Sequence, residues 1–281
     1  MKKWTLFLSL YLCLGLLASC TGSSSDIVPE ELPADGTTDT SMSIEDGPPW
    51  FLTCRIVSGA KTGNLVLAEH GEDGRGVYTL SFGSLPDDIL PEEPLRDGQL
   101  VNVYYESFTE AWPMDFGGVS AVEIVEGGFD DRACLYLTVL EDLWEVDPAL
   151  SENITYMGID LSETSLSPAE RAAVGWVFAG RHKAELVEGT LDDLMKQGYI
   201  TGEPLGTEDA PSDAKFWHWE DGCFFSITEQ PMEGTYSLVP VTFDAQKWRS
   251  SLGAYWFSDC TALQSALGEW SDYQIGSEMI S

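Results

Sequence analysis

Two short segments near the C-terminus combine aromatic and ionisable side chains of the kinds that bind ligands. One is a histidine between two tryptophans, and the other is a tryptophan between a lysine and an arginine. The residues concerned are Trp217, His218, Trp219, Lys247, Trp248 and Arg249. Aromatic faces stack on sugars and peptides, arginine and lysine bind anions, and a histidine in a pocket titrates near neutral pH. These six residues are therefore the candidate ligand-binding site.

The same residues have a second interpretation, in which they only pack a sheet. Aromatic residues are enriched in strands, where they usually belong to the core. On this interpretation the tryptophans pack against helices, and Lys247 and Arg249 pair with nearby acids. We favour it over the pocket. The pocket would require that Trp248→Ala and Arg249→Ala proteins fold normally but lose binding to a cell-wall extract or peptide pool.

Spacings typical of known catalytic or metal sites are missing from the sequence. There is no G-x-S-x-G, H-E-x-x-H, P-loop or dinucleotide-binding glycine pattern. There is also no C-x2-C pair and no cysteine–histidine cluster, so we predict no metal and no cofactor. His70 lies among acids in a turn, and His182 closes a predicted helix, where a cation complements the helix dipole.

The candidate residues lie in a predicted α+β domain, residues 131–281. Apolar residues at helical spacing predict a helix over 134–146, and capping residues Ser167 and Thr190 begin two more. Strands are predicted over residues 154–161, 184–188, 222–229, 236–243, 254–260 and 273–276. Helices followed by a run of strands are typical of an α+β domain with an antiparallel sheet.

Residues 50–130 predict a small all-β barrel of five short strands. Alternating apolar residues mark these strands, for example Leu52, Cys54 and Ile56, and glycine, proline and aspartate separate them. The longest connection, 84–98, falls between the third and fourth strands. Residues 97–105, Trp112-Pro113 and 119–124 are similar to OB-like domains of uncharacterised Gram-positive lipoproteins. The resemblance implies a fold and no activity.

Four cysteines remain after the leader and Cys20. They are Cys54, Cys134, Cys223 and Cys260. Four thiols allow three disulfide connectivities, and Cys223 with Cys260 is the most plausible pair because both lie in predicted strands of one half. Both positions also face the predicted core, where a free cysteine packs as a small apolar residue. The disulfide and the free thiols stay open as alternatives.

The first twenty residues have the three parts of a secretory signal peptide. Lys2 and Lys3 precede an uncharged apolar run over 4–18, and Leu17-Ala18-Ser19-Cys20 follows. This segment resembles the leader and lipobox of bacterial lipoproteins. The resemblance implies cleavage after residue 19 and a diacylglycerol on Cys20, which anchors the chain to the outer face of the cell membrane. Residues 20–49 contain seven acids and no base, which indicates a disordered tether.

The charge of the chain is strongly negative and excludes one class of partner. Loss of two leader lysines from 14 basic residues leaves 12 against 47 acids, a formal charge of −35. Such a chain is repelled by nucleic acid. We expect a non-enzymatic binding or scaffolding lipoprotein at the cell envelope, whose partner is an envelope protein or wall component. The alternative is a cell-envelope hydrolase acting on wall glycan or peptide.

Overall fold

The described chain between Trp50 and Ser281 forms two β-sheets with two helices between them and a third helix on the other face of the second sheet. The structure, a computed structural model, describes residues 50–206, 211, 213–231 and 240–281. The predicted signal peptide, Cys20 and the tether lie outside the described residues. Everything described belongs to one compact unit, Asp46–Ser281. Across these ranges, no helix has the length and apolar character needed to cross a membrane.

The first half of the chain forms a seven-stranded sheet. Its strands are β1 (Phe51–Ser58), β2 (Asn64–Glu69), β3 (Val77–Ser81), β4 (Leu100–Tyr104), β5 (Ser107–Phe108), β6 (Met114–Gly117) and β7 (Ala121–Ile124). They are ordered β5-β6-β3-β2-β1-β4-β7, and neighbours are antiparallel except that β3 is parallel to β6. Cys54, Ile56, Leu65 and Leu67 point into one buried cluster, which confirms the predicted alternation.

The first sheet is open, so the closed barrel expected from the sequence is not found among the described residues. The outermost strands, β5 and β7, are not paired with each other. The chain from Met114 to Ile124 breaks into two strands at residues 118–120, where Gly118 has a left-handed conformation (φ 65°). β6 then pairs with β3 and β7 with β4, and the break interrupts the ladder that would close a barrel.

Three helices of the described chain begin where capping and helical spacing predict them. They are α1 (Arg132–Glu145), α2 (Pro168–Arg181) and α3 (Leu191–Gln197). The Ser167 hydroxyl accepts a hydrogen bond from the Glu170 N–H at 3.2 Å, and the Glu170 carboxylate accepts one from the Ser167 N–H at 2.9 Å. Thr190 and Asp193 form the same reciprocal pair at α3, which Gly198 ends with φ 86°.

The second half of the chain forms an eight-stranded sheet. Its strands are β8 (Tyr156–Asp160), β9 (Glu185–Glu188), β10 (Thr201–Pro204), β11 (Lys215–His218), β12 (Gly222–Glu229), β13 (Pro240–Ser250), β14 (Gly253–Leu263) and β15 (Ser277–Ile280). The order is β10-β11-β13-β12-β8-β9, with β14 beside β13 and β15 beside β14. The strand predicted over 273–276 is found directly after those residues in the chain, as β15. Part of the strand predicted over 236–243 lies outside the described residues.

The second sheet is mixed, so the antiparallel sheet predicted for residues 131–281 is wrong. β8 is parallel to both β9 and β12, whereas β12, β13, β14 and β15 are antiparallel. The cause is α2, which connects β8 to β9. A helical crossover returns the chain to the end of the sheet from which it came, so the next strand runs in the same direction.

The main core lies between the two sheets and contains α1 and α2. From the first sheet, Val57 and Val66 point into it, and from the second sheet Phe225 and Phe243 do the same. The first sheet therefore buries both faces of β1 and β2. The predicted division at residue 130 coincides with the start of α1, but the helices share this core with both sheets. The division into two domains stays a prediction.

A buried ion pair joins the first sheet to α2. Arg55 Nε lies 2.7 Å from Glu170 Oε1, and Arg55 Nη1 donates to the carbonyl oxygens of Gly98 at 2.9 Å and Gly128 at 2.8 Å. Removing charge from water costs several kcal/mol per ion, and such a pair is tolerated when its remaining donors are also bonded. Arg55 meets this condition in part, since Nη1 bonds to carbonyl groups of two loops, whereas Nε contacts Glu170 without hydrogen-bond geometry.

All four cysteines of the described chain are free thiols, so of the two alternatives left open by the sequence the disulfide between Cys223 and Cys260 is not formed. Cys260 lies opposite Phe243 of β13, whereas Cys223 precedes Phe224, which lies opposite Trp248. The two thiols are therefore separated by about 20 Å along β13, at roughly 3.3 Å per residue. A disulfide requires Cα atoms within about 7 Å.

Candidate functional site

The six predicted site residues are divided between opposite faces of the second sheet. Successive side chains of a strand point to opposite sides. On β13, Lys247 and Arg249 therefore share one face and Trp248 the other, and on β11 Trp217 and His218 point in opposite directions. The six side chains cannot line one pocket.

Lys247 is fully buried and closes the C-terminus of α1. Its Nζ donates to the carbonyl oxygens of Trp144 at 3.2 Å and Asp147 at 3.1 Å, and also to that of Val146. Burial lowers the pKa of the Lys247 ammonium below its usual value. These carbonyl groups have no partner within the helix, so the lysine acts as the helix cap. It does not face a pocket.

Arg249 is held in the same way by carbonyl groups. Its Nη1 donates to the carbonyl oxygens of Glu152 at 2.8 Å and Leu150 at 3.3 Å, and its Nη2 donates to that of Glu220 at 2.7 Å. The guanidinium thereby ties the segment after α1 to the bend between β11 and β12. Much of its donor capacity is used inside the protein.

Trp219 and Trp248 belong to a second buried cluster of this half, together with Leu194 and Phe224. Trp219 lies so close to the backbone of Gly222 that a Cβ there would be 1.9 Å from its Cε2 atom. These two tryptophans are core residues. Trp217 is half-buried beside this cluster. The packing interpretation thus agrees with the tryptophans, whereas Lys247 and Arg249 bond to carbonyl groups and not to the acids with which it paired them.

His218, Trp219 and Arg249 do meet at one cavity of about 420 Å³, which we call the aromatic pocket. It is lined by Glu203, Phe216, His218, Trp219, Glu220, Arg249 and Ser250. The Phe216 and His218 rings lie on one side of β11 with their centroids 6.0 Å apart and their planes 26° apart. His218 Nε2 lies 3.4 Å from the Thr201 hydroxyl. The two rings form a short aromatic surface.

The polar groups of the aromatic pocket favour a neutral or cationic ligand. Arg249 is bonded to carbonyl groups, whereas the carboxylates of Glu203 and Glu220 are exposed at the same pocket. Lys247, which was expected to help bind an anion, is buried under α1. The arrangement therefore supports stacking on Phe216 and His218, with carboxylates accepting hydrogen bonds from hydroxyl or amino groups.

A second cavity, of about 300 Å³, lies at the carboxyl ends of β8 and β9, and we call it the crevice. It is lined by Ile159, Asp160, Leu161, Ser162, Pro168, Arg171, Ala172, Gly175, Leu186, Glu188, Gly189, Thr190 and Asp193. Asp160 and Glu188 are the last residues of the two parallel strands. Sequence reasoning missed this site. A strand, a helix and a strand in succession were the available signal, because that pattern predicts a parallel pair with a cleft at its carboxyl end.

The polar side chains of the crevice hold its walls in place. Asp160 Oδ1 accepts a hydrogen bond from the Ser162 N–H at 2.9 Å, and Arg171 Nη1 donates to the Ser162 carbonyl at 3.1 Å. Hydrogen bonds from Thr190 and Lys196 lower the pKa of Asp193 below its usual value. Asp193 is therefore ionised at neutral pH and engaged within α3.

The chain matches no family model, no curated protein and no solved structure with which it was compared. Within the described ranges, no group of three or more His, Cys, Asp or Glu side chains is arranged to hold a metal ion. A function is accordingly inferred from the aromatic pocket, the crevice and the sequence of the leader.

Proposed function

We propose that this protein is a lipoprotein anchored at the extracytoplasmic face of the cell membrane, where it binds an envelope component without catalysing a reaction. Residues 1–19 serve as the signal peptide, and Cys20 carries the lipid. Residues 20–49 are the tether that separates the folded part from the membrane. The basic start, the apolar run and the small residues before Cys20 support this location.

The aromatic pocket is the observation that carries the binding function. Phe216 and His218 present two nearly parallel rings at a cavity that also carries the exposed carboxylates of Glu203 and Glu220. Sugars and peptides bind such surfaces by stacking, while their hydroxyl and amino groups donate hydrogen bonds. A neutral or cationic fragment of wall glycan or peptide fits this chemistry better than an anionic one. The negative charge of the chain makes nucleic acid an unfavourable partner.

A calorimetric titration with soluble muropeptides tests the binding function. Stacking on one ring contributes about 0.5–1.5 kcal/mol, so Phe216→Ala and His218→Ala should each weaken binding by roughly two- to tenfold. Trp112→Ala is the matched control, because Trp112 is an exposed aromatic residue outside the aromatic pocket. Equal affinities for the wild type, the two pocket variants and the control would contradict the proposal. Release of new reducing ends or amino groups during the titration would instead favour the cell-envelope hydrolase.

Labelling of growing cells with palmitate tests the anchor. The wild-type protein should take up label and sediment with membranes, whereas Cys20→Ala should do neither. Cys13→Ala, which changes a cysteine inside the leader, should behave as the wild type. A Cys20→Ala protein that stays on the membrane would show that the anchor assignment is wrong.

We also propose that residues 50–130 form an OB-like unit. The order β4-β1-β2-β3 is that of a Greek key, and β6 runs parallel to β3. OB-folds are partly open Greek-key barrels of five strands, which agrees with an interrupted ladder between β6 and β7. A dispersed NMR spectrum of the isolated 50–130 fragment would support a separate unit. A random-coil spectrum would show that α1 and α2 are needed to cover its outer face.

A further inference from the structure

The crevice lies where the topology of the second sheet favours a ligand. α2 covers the face of β8 that carries Met157 and Ile159, whereas α3 covers the opposite face at Gly158. The connections that follow the adjacent parallel strands β8 and β9 thus leave on opposite sides of the sheet. In open α/β sheets, ligands bind in the crevice that this divergence creates outside the carboxyl ends of the strands.

The lining of the crevice combines charges of both signs. Arg171 projects from α2, and among the described residues its one hydrogen-bond partner is the Ser162 carbonyl, 3.1 Å from Nη1. Asp160 and Glu188 lie at the ends of the two strands, and Glu188 is exposed. A guanidinium binds a carboxylate through paired N–H groups, and carboxylates bind an ammonium. The polar lining therefore suits a ligand that carries both a carboxylate and an ammonium group.

The floor of the crevice is apolar and small. Ile159 and Leu161 are buried at its base, and Ala172 and Leu186 complete it. A volume of about 300 Å³ is at the lower end of the range for pockets that hold small molecules. The space fits a compact apolar group attached to the charged end of the ligand.

We propose that the crevice is a binding site for a free α-amino acid with a short apolar side chain. The ammonium group is held by Asp160 and Glu188, the carboxylate by Arg171, and the side chain by the apolar floor. This site goes beyond the binding function proposed for the aromatic pocket and does not depend on it.

Methyl NMR spectra of the whole extracytoplasmic part, recorded with added L-leucine, L-valine or L-methionine, test the proposal. At a concentration of about 10 mM, a ligand of millimolar affinity occupies most of its site. At this concentration at least one of the three amino acids should shift the methyl signals of Ile159, Leu161 and Leu186. Two probes of similar shape test the charges. L-leucinamide lacks the carboxylate, 4-methylpentanoate lacks the ammonium, and each should bind roughly tenfold more weakly than L-leucine.

Charge-neutral variants with matched controls assign the two ends of the ligand. Arg171→Gln and Glu188→Gln should each weaken binding roughly tenfold, whereas Glu185→Gln, on the same strand as Glu188 but at its opposite end, should not. His218→Ala should leave crevice binding unchanged, so a failure of the aromatic pocket is distinguishable from a failure here. The proposal is overturned if none of the three amino acids shifts these methyl signals, or if both probes bind as well as L-leucine.

Discussion

Replacing Lys247 by methionine measures how much the contact between β13 and the end of α1 contributes to the free energy of unfolding. Methionine has a similar length, so it keeps the apolar stem within the core and removes only the ammonium. Three carbonyl oxygens then lose the ammonium as a donor, those of Trp144, Val146 and Asp147. Asp147 keeps the N–H of Leu150, and Trp144 keeps the hydroxyl of Ser151 at 3.5 Å. α1 has no glycine at its end; Asp147 occupies the left-handed conformation (φ 42°) that a glycine usually takes there.

The expected loss follows from two opposing contributions. Each hydrogen bond to a charged group stabilises by about 1.5–3 kcal/mol, so three such bonds at the lower value give roughly 4–5 kcal/mol. Part of this is offset because methionine avoids the cost of burying an ammonium. Each buried carbonyl group left without a donor costs about 1–3 kcal/mol, so we expect a net loss of about 3 kcal/mol. At roughly 2–4 °C per kcal/mol, Tm should fall by about 6–12 °C.

Thermal unfolding followed by circular dichroism checks this value, with urea unfolding as a second measurement. The matched control is Lys61→Met, since Lys61 is an exposed lysine in the turn between β1 and β2, and its change should stay within about 0.5 kcal/mol. A Lys247→Met protein as stable as the control would refute the capping role. It would mean that water satisfies the three carbonyl groups equally well.

Two further predictions concern packing and pH. Gly158→Ala should destabilise by about 1–3 kcal/mol in thermal unfolding, because the new Cβ would lie 2.7 Å from Leu194 Cδ1; Gly180→Ala, in open space near the end of α2, should instead stabilise by about 0.5–1 kcal/mol. Burial raises the pKa of the Asp131 carboxyl group. The stability that this group contributes is therefore fully present below its unfolded-state pKa and is lost as pH rises through its folded-state pKa. As the pH rises from about 4, Asp131→Asn should therefore lose less stability than the wild type, and Asp272→Asn, which changes an exposed carboxyl group, is the control. Equal slopes for Asp131→Asn and the wild type would contradict the assignment.

The positions of the elements were largely predictable because local signals determine them. Ser167 with Glu170, and Thr190 with Gly198, mark helix ends through contacts within a few residues. The strand predicted over 222–229 matches β12, since its apolar residues are bounded by turn residues on both sides. The direction of β8 and β9 does not follow from local signals, because it depends on the helical crossover through α2, which returns the chain to the end of the sheet where β8 begins.

The function of the basic residues was not predictable, because their partners are far away in sequence. Lys247 and Arg249 bond to carbonyl groups about a hundred residues earlier in the chain, and Arg55 bonds to Gly98 and Gly128. Carbonyl oxygens belong to every residue, so no pattern of side chains indicates which base will find them. The alternation of side chains along a strand does restrict which of these residues can lie together. Residues at alternate positions of a strand share a face, so Lys247 and Arg249 could not have lined a pocket together with Trp248.

The same restriction identifies the residues that can form the aromatic pocket. Phe216 and His218 alternate on β11, so their rings share a face, and Trp217 between them packs inward. A base on that face could still attract an anion if its donors were free. Arg249 donates to three carbonyl oxygens, so the carboxylates of the pocket determine its charge preference. The selectivity that we propose, for a neutral or cationic ligand, thus follows from hydrogen bonds inside the protein, since these determine which charges remain available at the surface.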